Sequence, residues 1–190
     1  TVGDELLAGD TENTNATWLG EQLTERGVTV ERVLTVPDET AVIADGVRRY
    51  SDAFDAVIVT GGLGRTPDDV TIDGVARAFD RDLVENDLAR ADIERTLEGI
   101  EEEYPDLDVD AGAEAQIPAG SRPLINQAGL SPGCVLENVY VLPGIPSEMK
   151  RMFEDIAAEF DGETGSRVLY TEEPESNLID RLDEVRDRFG

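Results

Sequence analysis

The chain has 190 residues, 43 acidic against 16 basic side chains, a formal charge of −27, one cysteine and no histidine. That length suits one α/β domain with a short appendage, and the charge repels nucleic acid and anionic membrane surfaces. The absent histidines exclude Ser-His-Asp and Cys-His nucleophiles, a histidine base and His-ligated zinc, while the lone Cys134 excludes an internal disulfide and reads as a small buried apolar residue.

In chain order, TVGDELL at 1–7 begins as though a first strand were cut short, with Gly3, Asp4 and Glu5 in a loop at its end. Residues 13–26 carry Ala16, Leu19 and Leu23 at helical spacing, and Gly27 supplies a stop. Valine-rich 28–36 predicts a strand closing on the turn Pro37-Asp38-Glu39. Thr40 caps a helix with Ile43, Val47 and Tyr50 on one face. Ala56, Val57, Ile58 and Val59 form a short apolar run, as expected of a strand buried on both faces.

That run stops at Gly61, Gly62 and Gly64, followed by Asp68, Asp69 and Thr71. Ligands of open α/β sheets bind beyond the carboxyl ends of strands, and glycines let a ligand approach backbone N–H donors. A place able to hold an anion therefore also holds candidate metal ligands and proton acceptors, which hints at phosphate chemistry. Thr71 is expected to cap a helix to about Phe79, and 85–104 reads as a longer helix with a glutamate-rich solvated face.

After a Pro- and Asp-rich connection at 105–110, Ile117-Pro118 and 123–126 lead into a hairpin formed by 133–136 and 139–142 around Glu137-Asn138. Pro143, Gly144 and Pro146 end it, and 147–160 is helical with Met149, Met152, Phe153 and Ile156 buried. Residues 162–165 form a linker, 167–170 a strand and 176–189 a helix. No run approaches the ~18 to 20 apolar residues of a membrane span, so a cytoplasmic protein is expected. The acidic excess runs along the whole chain and fits a salt-rich cytoplasm, where screening relieves self-repulsion.

The motifs GDELLAG (3–9), NTNATWL (13–19), VPDE (36–39), TGGLGRTPDDVT (60–71) and LPGIPSEM (142–149) occur in the order found in MoaB/Mog-type molybdopterin-binding domains. The chain resembles above all the N-terminal domain of CinA-like proteins over residues 1–160. Residues 161–190, a linker with a partial strand-helix appendage, resemble the start of the middle domain that follows there; the deamidase domain beyond it has no counterpart in this sequence. The resemblance implies a three-layer α/β/α sandwich with a mostly parallel sheet, binding molybdopterin or an adenine nucleotide at the Gly-rich loop. It implies either chemistry on molybdopterin or hydrolysis of the pyrophosphate of ADP-ribose, and a homo-oligomer, dimer or trimer.

Carried onto this sequence, the resemblance places ligand contacts at Thr60, Gly61, Gly62, Gly64, Thr66, Thr71, Asn15, Pro143, Gly144, Pro146 and Ser147, and catalytic roles at Asp38 and Asp69. A divalent cation such as magnesium, held by Asp69 and Asp68, would let a pyrophosphate approach this acidic site. Asn13 stands where CinA-like sequences often have aspartate, and Ala113 where many have lysine; an amide is no base near neutral pH. These departures leave open a binding protein without turnover, or a scaffold with a vestigial pocket. Local pattern alone gives plainer roles: Asp68 and Asp69 as helix-start carboxylates, Asn13 and Asn15 as caps, Asn126 in a turn, Trp18 in packing and Arg65 as an ordinary loop cation.

Overall fold

In a computed structural model of the chain, the described residues are 1–64, 66–100, 107, 109–162 and 170–189. The central sheet has the order β1-β6-β5-β4, where β1 is Val57–Thr60, β4 Arg122–Leu124, β5 Gly133–Leu136 and β6 Val139–Leu142. β1 pairs parallel with β6, with Val57 opposite Val139 and Thr60 opposite Leu142. Beyond β1, residues 1–3 continue the parallel half: Val2 N–H donates to Thr60 O (2.8 Å), and Val2 bridges Val36 in parallel.

The period-2 alternation of strand side chains sorts the core into two layers. Val57, Val59, Cys134, Leu136, Val139 and Val141 pack toward α3 (Thr40–Ser51) and α4 (Thr71–Ala78), against Ile43, Ala44, Val47, Val75 and Ala78. Ile58, Val135, Tyr140 and Leu142 face α2 (Thr14–Glu25) and α7 (Pro146–Ile156), against Leu19, Leu23, Met149, Met152, Phe153 and Ile156. Trp18 meets Phe153 edge-on, centroids 5.5 Å apart, and so serves packing. This is the expected α/β sandwich. Its sheet is mixed rather than mostly parallel, because the two-residue turn at Glu137-Asn138 leaves β5 no option but to return antiparallel to β6.

A smaller lobe pairs β2 (Leu83–Glu85) with β3 (Gln116–Pro118) beneath α5 (Asp87–Ile100) and α6 (Ala111–Glu114), around Ala89, Ile93 and Ala115. Glu85, expected as the first residue of a long helix, belongs to β2; Asn86 caps α5 instead, accepting from Leu88 and Ala89 N–H at 3.1 Å. The strand expected at 28–36 does not form. Only Val36 bridges, and none of residues 29–33 makes a backbone–backbone hydrogen bond among the described residues. The expected helix at 176–189 is a 3-10 turn, Glu175–Asn177, then α8, Ile179–Phe189; residues 167–169 of the expected strand and 101–104 of the long helix lie outside the described residues. Among the described residues no helix is long and apolar enough to cross a membrane.

Candidate functional site

Because β1 and β6 run parallel, their carboxyl ends lie side by side, and each runs into a glycine turn. Gly61 has φ +98°, and a Cβ there would sit 2.3 Å from Val2 O, so only glycine lets residues 1–3 lie against this turn. A Cβ on Gly144 would sit 3.2 Å from Gly61 Cα, which puts the two turns in contact. Gly61 N–H is taken by Leu142 O at 3.2 Å. Those of Gly62, Leu63 and Gly64 have no partner among the described residues, and of these three residues Gly62 lines the cavity above the turn.

Three aspartates border these turns. Asp38 Oδ2 accepts from Asp4 N–H at 2.8 Å, and Asp4 Oδ1 from Asp38 N–H at 3.4 Å, tying the loop after 36 to the start of α1, Asp4–Ala8. Burial raises the Asp38 carboxyl above its ordinary value, the Asp4 N–H opposes this, and the charges of Asp4, Glu5 and Asp68 add to the rise. Asp69 Oδ2 accepts from both the N–H (3.0 Å) and the hydroxyl (2.5 Å) of Thr66 and rests against Gly64, whose Cβ would lie 2.4 Å from it. In both residues Oδ1 keeps no hydrogen bond among the described residues. Asp68 is exposed.

Beside the turns lie three buried polar atoms without a hydrogen-bond partner: Thr60 Oγ1, Thr71 Oγ1 and Asn15 Oδ1. Such orphans are uncommon and costly in a folded interior, which makes them candidates for ligand contact. Asn15 is not a cap. Its Nδ2 donates to Gly144 O at 2.7 Å, a reach of 129 residues, and this fixes Oδ1 as an acceptor. Asn13 is the cap, accepting from Ala16 N–H at 3.0 Å. Thr71 begins α4 rather than capping it, Val70 holding the cap position, and its hydroxyl lies where a Cβ on Gly62 would be, 2.4 Å away.

A cavity of about 210 Å³ opens over this floor. It brings together Asn15, Asp38, Gly61, Gly62, Asp68, Asp69, Gly144 and Pro146 of the expected site, and leaves Thr60, Gly64, Thr66, Thr71, Pro143 and Ser147 off its wall. Thr60, Thr71, Gly64 and Thr66 still support it from behind through the contacts above. Sequence reasoning missed Leu6, Thr11, Glu12 and Thr14, which close one side; the clue was that GDELLAG and NTNATWL flank one short loop. Ser147 is the second residue of α7, Arg65 lies outside the described residues, and Asn126 accepts from Ala128 N–H in a turn, as its plainer reading expected. Burial pushes the Cys134 thiol up to about 12, so it is inert.

The donor set is all oxygen, which suits a hard cation such as magnesium bound by one or two carboxylates and completed by water and phosphate. Among the described residues no three acidic side chains converge into a cage for a metal ion.

The model for the family described as probable molybdopterin binding domain matches residues 1–161. The chain belongs to that family. A protein of Archaeoglobus fulgidus is 39% identical over 97% of this chain and 77% of its own length. A CinA-like protein of Frankia casuarinae is 40% identical over 80% of this chain, which spans only 36% of that longer protein. The crystal structure of CinA from Thermoplasma acidophilum, titled as a protein of unknown function, superposes with a TM-score of 0.72 at 34% identity, covering 84% of this chain and 94% of that one. MoaB of Pyrococcus furiosus, at 21% identity, TM-score 0.51 and coverage of 83% and 87%, shows a shared fold.

Proposed function

We propose that this CinA-like domain binds a nucleoside diphosphate with a divalent cation and hydrolyses the pyrophosphate of ADP-ribose or a similar compound. The observation that carries the reading is the pairing, around one cavity, of the unpartnered Gly62 N–H with Asp38 and Asp69, whose Oδ1 atoms keep no hydrogen bond among the described residues. An anion arriving alone would meet Asp38, Asp68, Asp69, Glu5 and Glu12 around the cavity and be repelled. A magnesium ion, when bound, would neutralise that repulsion and polarise the phosphate.

The chain's own residues divide the remaining work. Asp69 and Asp38 hold the cation or an attacking water through Oδ1, each fixed by the bonds to its Oδ2. The N–H of Gly62 stabilises charge developing on the departing phosphate. Asn15 Oδ1 accepts an N–H or O–H of the ligand, while Thr60 and Thr71 stand behind the wall. The cavity is smaller than the ~300–1,000 Å³ of a drug-sized pocket, so it fits a diphosphate and its cation while the rest of the ligand lies outside.

A second reading, a domain that binds molybdopterin without turning it over, draws on the family description and on Asn13, whose amide serves as a helix cap and cannot take a proton. Release of AMP from ADP-ribose, assayed in molar KCl with Mg, Mn, Co or Ni, separates the two. Turnover in the wild type that falls at least about 100-fold in Asp69→Ala supports the hydrolase. No turnover with any metal removes it and leaves the binder.

A further inference from the structure

The cavity over the glycine turns has two chemically different sides, joined where Gly61 and Gly144 meet. On one side Gly62 brings an unpartnered N–H together with Asp38 and Asp69. On the other, Asn15 is held by its Nδ2 to Gly144 O at 2.7 Å, and Glu12 and Thr14 stand exposed beside it at the start of α2. Glu5 turns back against Gly3, whose Cβ would lie 2.6 Å from its Oε1, which leaves Glu12 as the carboxylate of the α2 side.

This second side is rich in acceptors. Asn15 lines the cavity at only 7% exposure, and its Oδ1 has no hydrogen-bond partner. The Glu12 carboxylate accepts only. Two neighbouring donors are spent within the loop, Thr11 N–H on Glu5 O (3.3 Å) and Thr14 N–H on Glu12 O (2.8 Å). A diphosphate bound to magnesium is deprotonated near neutral pH and offers only acceptors, so it leaves Asn15 Oδ1 unsatisfied and is repelled by Glu12. O–H donors lying next to the diphosphate would resolve both conflicts. A flat ring is the poorer match, because Thr11, Glu12 and Thr14 make this part of the wall polar.

Resting on the reading of Gly62, Asp38 and Asp69 as the diphosphate and cation side, we infer that Asn15 and Glu12 read the sugar hydroxyls adjoining the diphosphate. The domain then selects a ribonucleotide over its deoxy analogue. The sugar rests at the mouth and its hydroxyls reach inward, one to Asn15 Oδ1 and one to the Glu12 carboxylate. The bond to the carboxylate is charge-assisted, and loss of the other hydroxyl leaves Asn15 Oδ1 buried and unpaired.

The test titrates the full chain calorimetrically, in molar KCl with magnesium, with ADP, 2′,3′-dideoxy-ADP and inorganic pyrophosphate. ADP has a single sugar, so the comparison isolates its hydroxyls. The wild type is expected to bind ADP at least about tenfold more tightly than the dideoxy compound. Glu12→Ala and Asn15→Ala should each bring that ratio toward one, and lower the affinity for ADP more than that for pyrophosphate. A wild type that binds pyrophosphate but holds ADP and dideoxy-ADP equally would overturn the sugar reading and keep the diphosphate site. A preference that survives both substitutions would overturn it too. So would equal losses for ADP and pyrophosphate, which would mean that these residues serve the cation. Binding of none of these ligands removes the diphosphate reading itself, and this inference with it. Should Asn15→Ala unfold, Glu12→Ala, at an exposed position before α2, decides alone.

Discussion

Thr71 Oγ1 is fully buried and has no hydrogen-bond partner, an arrangement that costs the free protein about 1–3 kcal/mol. Thr71→Val, which removes an unpaired buried hydroxyl, is therefore expected to leave Tm unchanged or raised, read by thermal melting. Gly61→Ala does the opposite. Its Cβ would collide with Val2 O at φ +98°, and a loss of about 2–4 kcal/mol in urea unfolding is expected. Asp38 carries the pH prediction. Its folded pKa lies above the ordinary 3.8, so the folded state holds the proton more tightly, and this group favours folding most below that value. The contribution is lost as pH rises through the raised pKa. Asp38→Asn, whose amide oxygen can still accept from Asp4 N–H, should remove that part of the slope of stability against pH just above 3.8 and lower the affinity for a divalent cation. The glycine turn was legible in sequence because its demand is local. The contact from Asn15 to Gly144 was not, since nothing within either segment announces a partner 129 residues away.

The elements followed their own residues where a tertiary neighbour agreed. Helix α2 sits between the Asn13 cap and Gly27, at φ +77°, because both signals act within one turn. Residues 28–36 have strand composition and yet only Val36 pairs, since a strand exists only beside another and the space next to 29–33 is open. Glu85 was drawn into β2 by pairing with Gln116, a non-local choice that helical periodicity could not reveal. The β5–β6 hairpin was legible, though its anchor was not: Asn138 donates to Ser51 O (3.0 Å) and Phe54 O (2.8 Å) and accepts from Ser51 Oγ (2.6 Å), pinning the turn to the end of α3. Asn138→Ala should cost about 1–3 kcal/mol in urea unfolding by leaving those carbonyls unpaired, with the sheet otherwise kept.

Across the described residues, a charge of −27 on 190 residues meets ion pairs that are exposed or half-exposed, such as Arg122 with Glu159 and Arg90 with Glu85, apart from the pair that the buried Asp92 makes with the exposed Arg95. Such pairs contribute little, so self-repulsion is the dominant electrostatic effect on the fold. Raising KCl from 0.1 to about 2 M should therefore raise Tm steadily, and a Tm that fell over that range would mean that specific ion pairs hold the structure. The same acidity bears on the proposed function: the cavity is ringed by carboxylates, so a phosphate ligand would need a cation to enter it. The direct measurement is calorimetric titration of ADP-ribose in molar KCl, with and without magnesium. Binding that needs the metal, and weakens in Asp69→Ala, is the predicted result; equal binding without the metal, or none in its presence, would contradict the account.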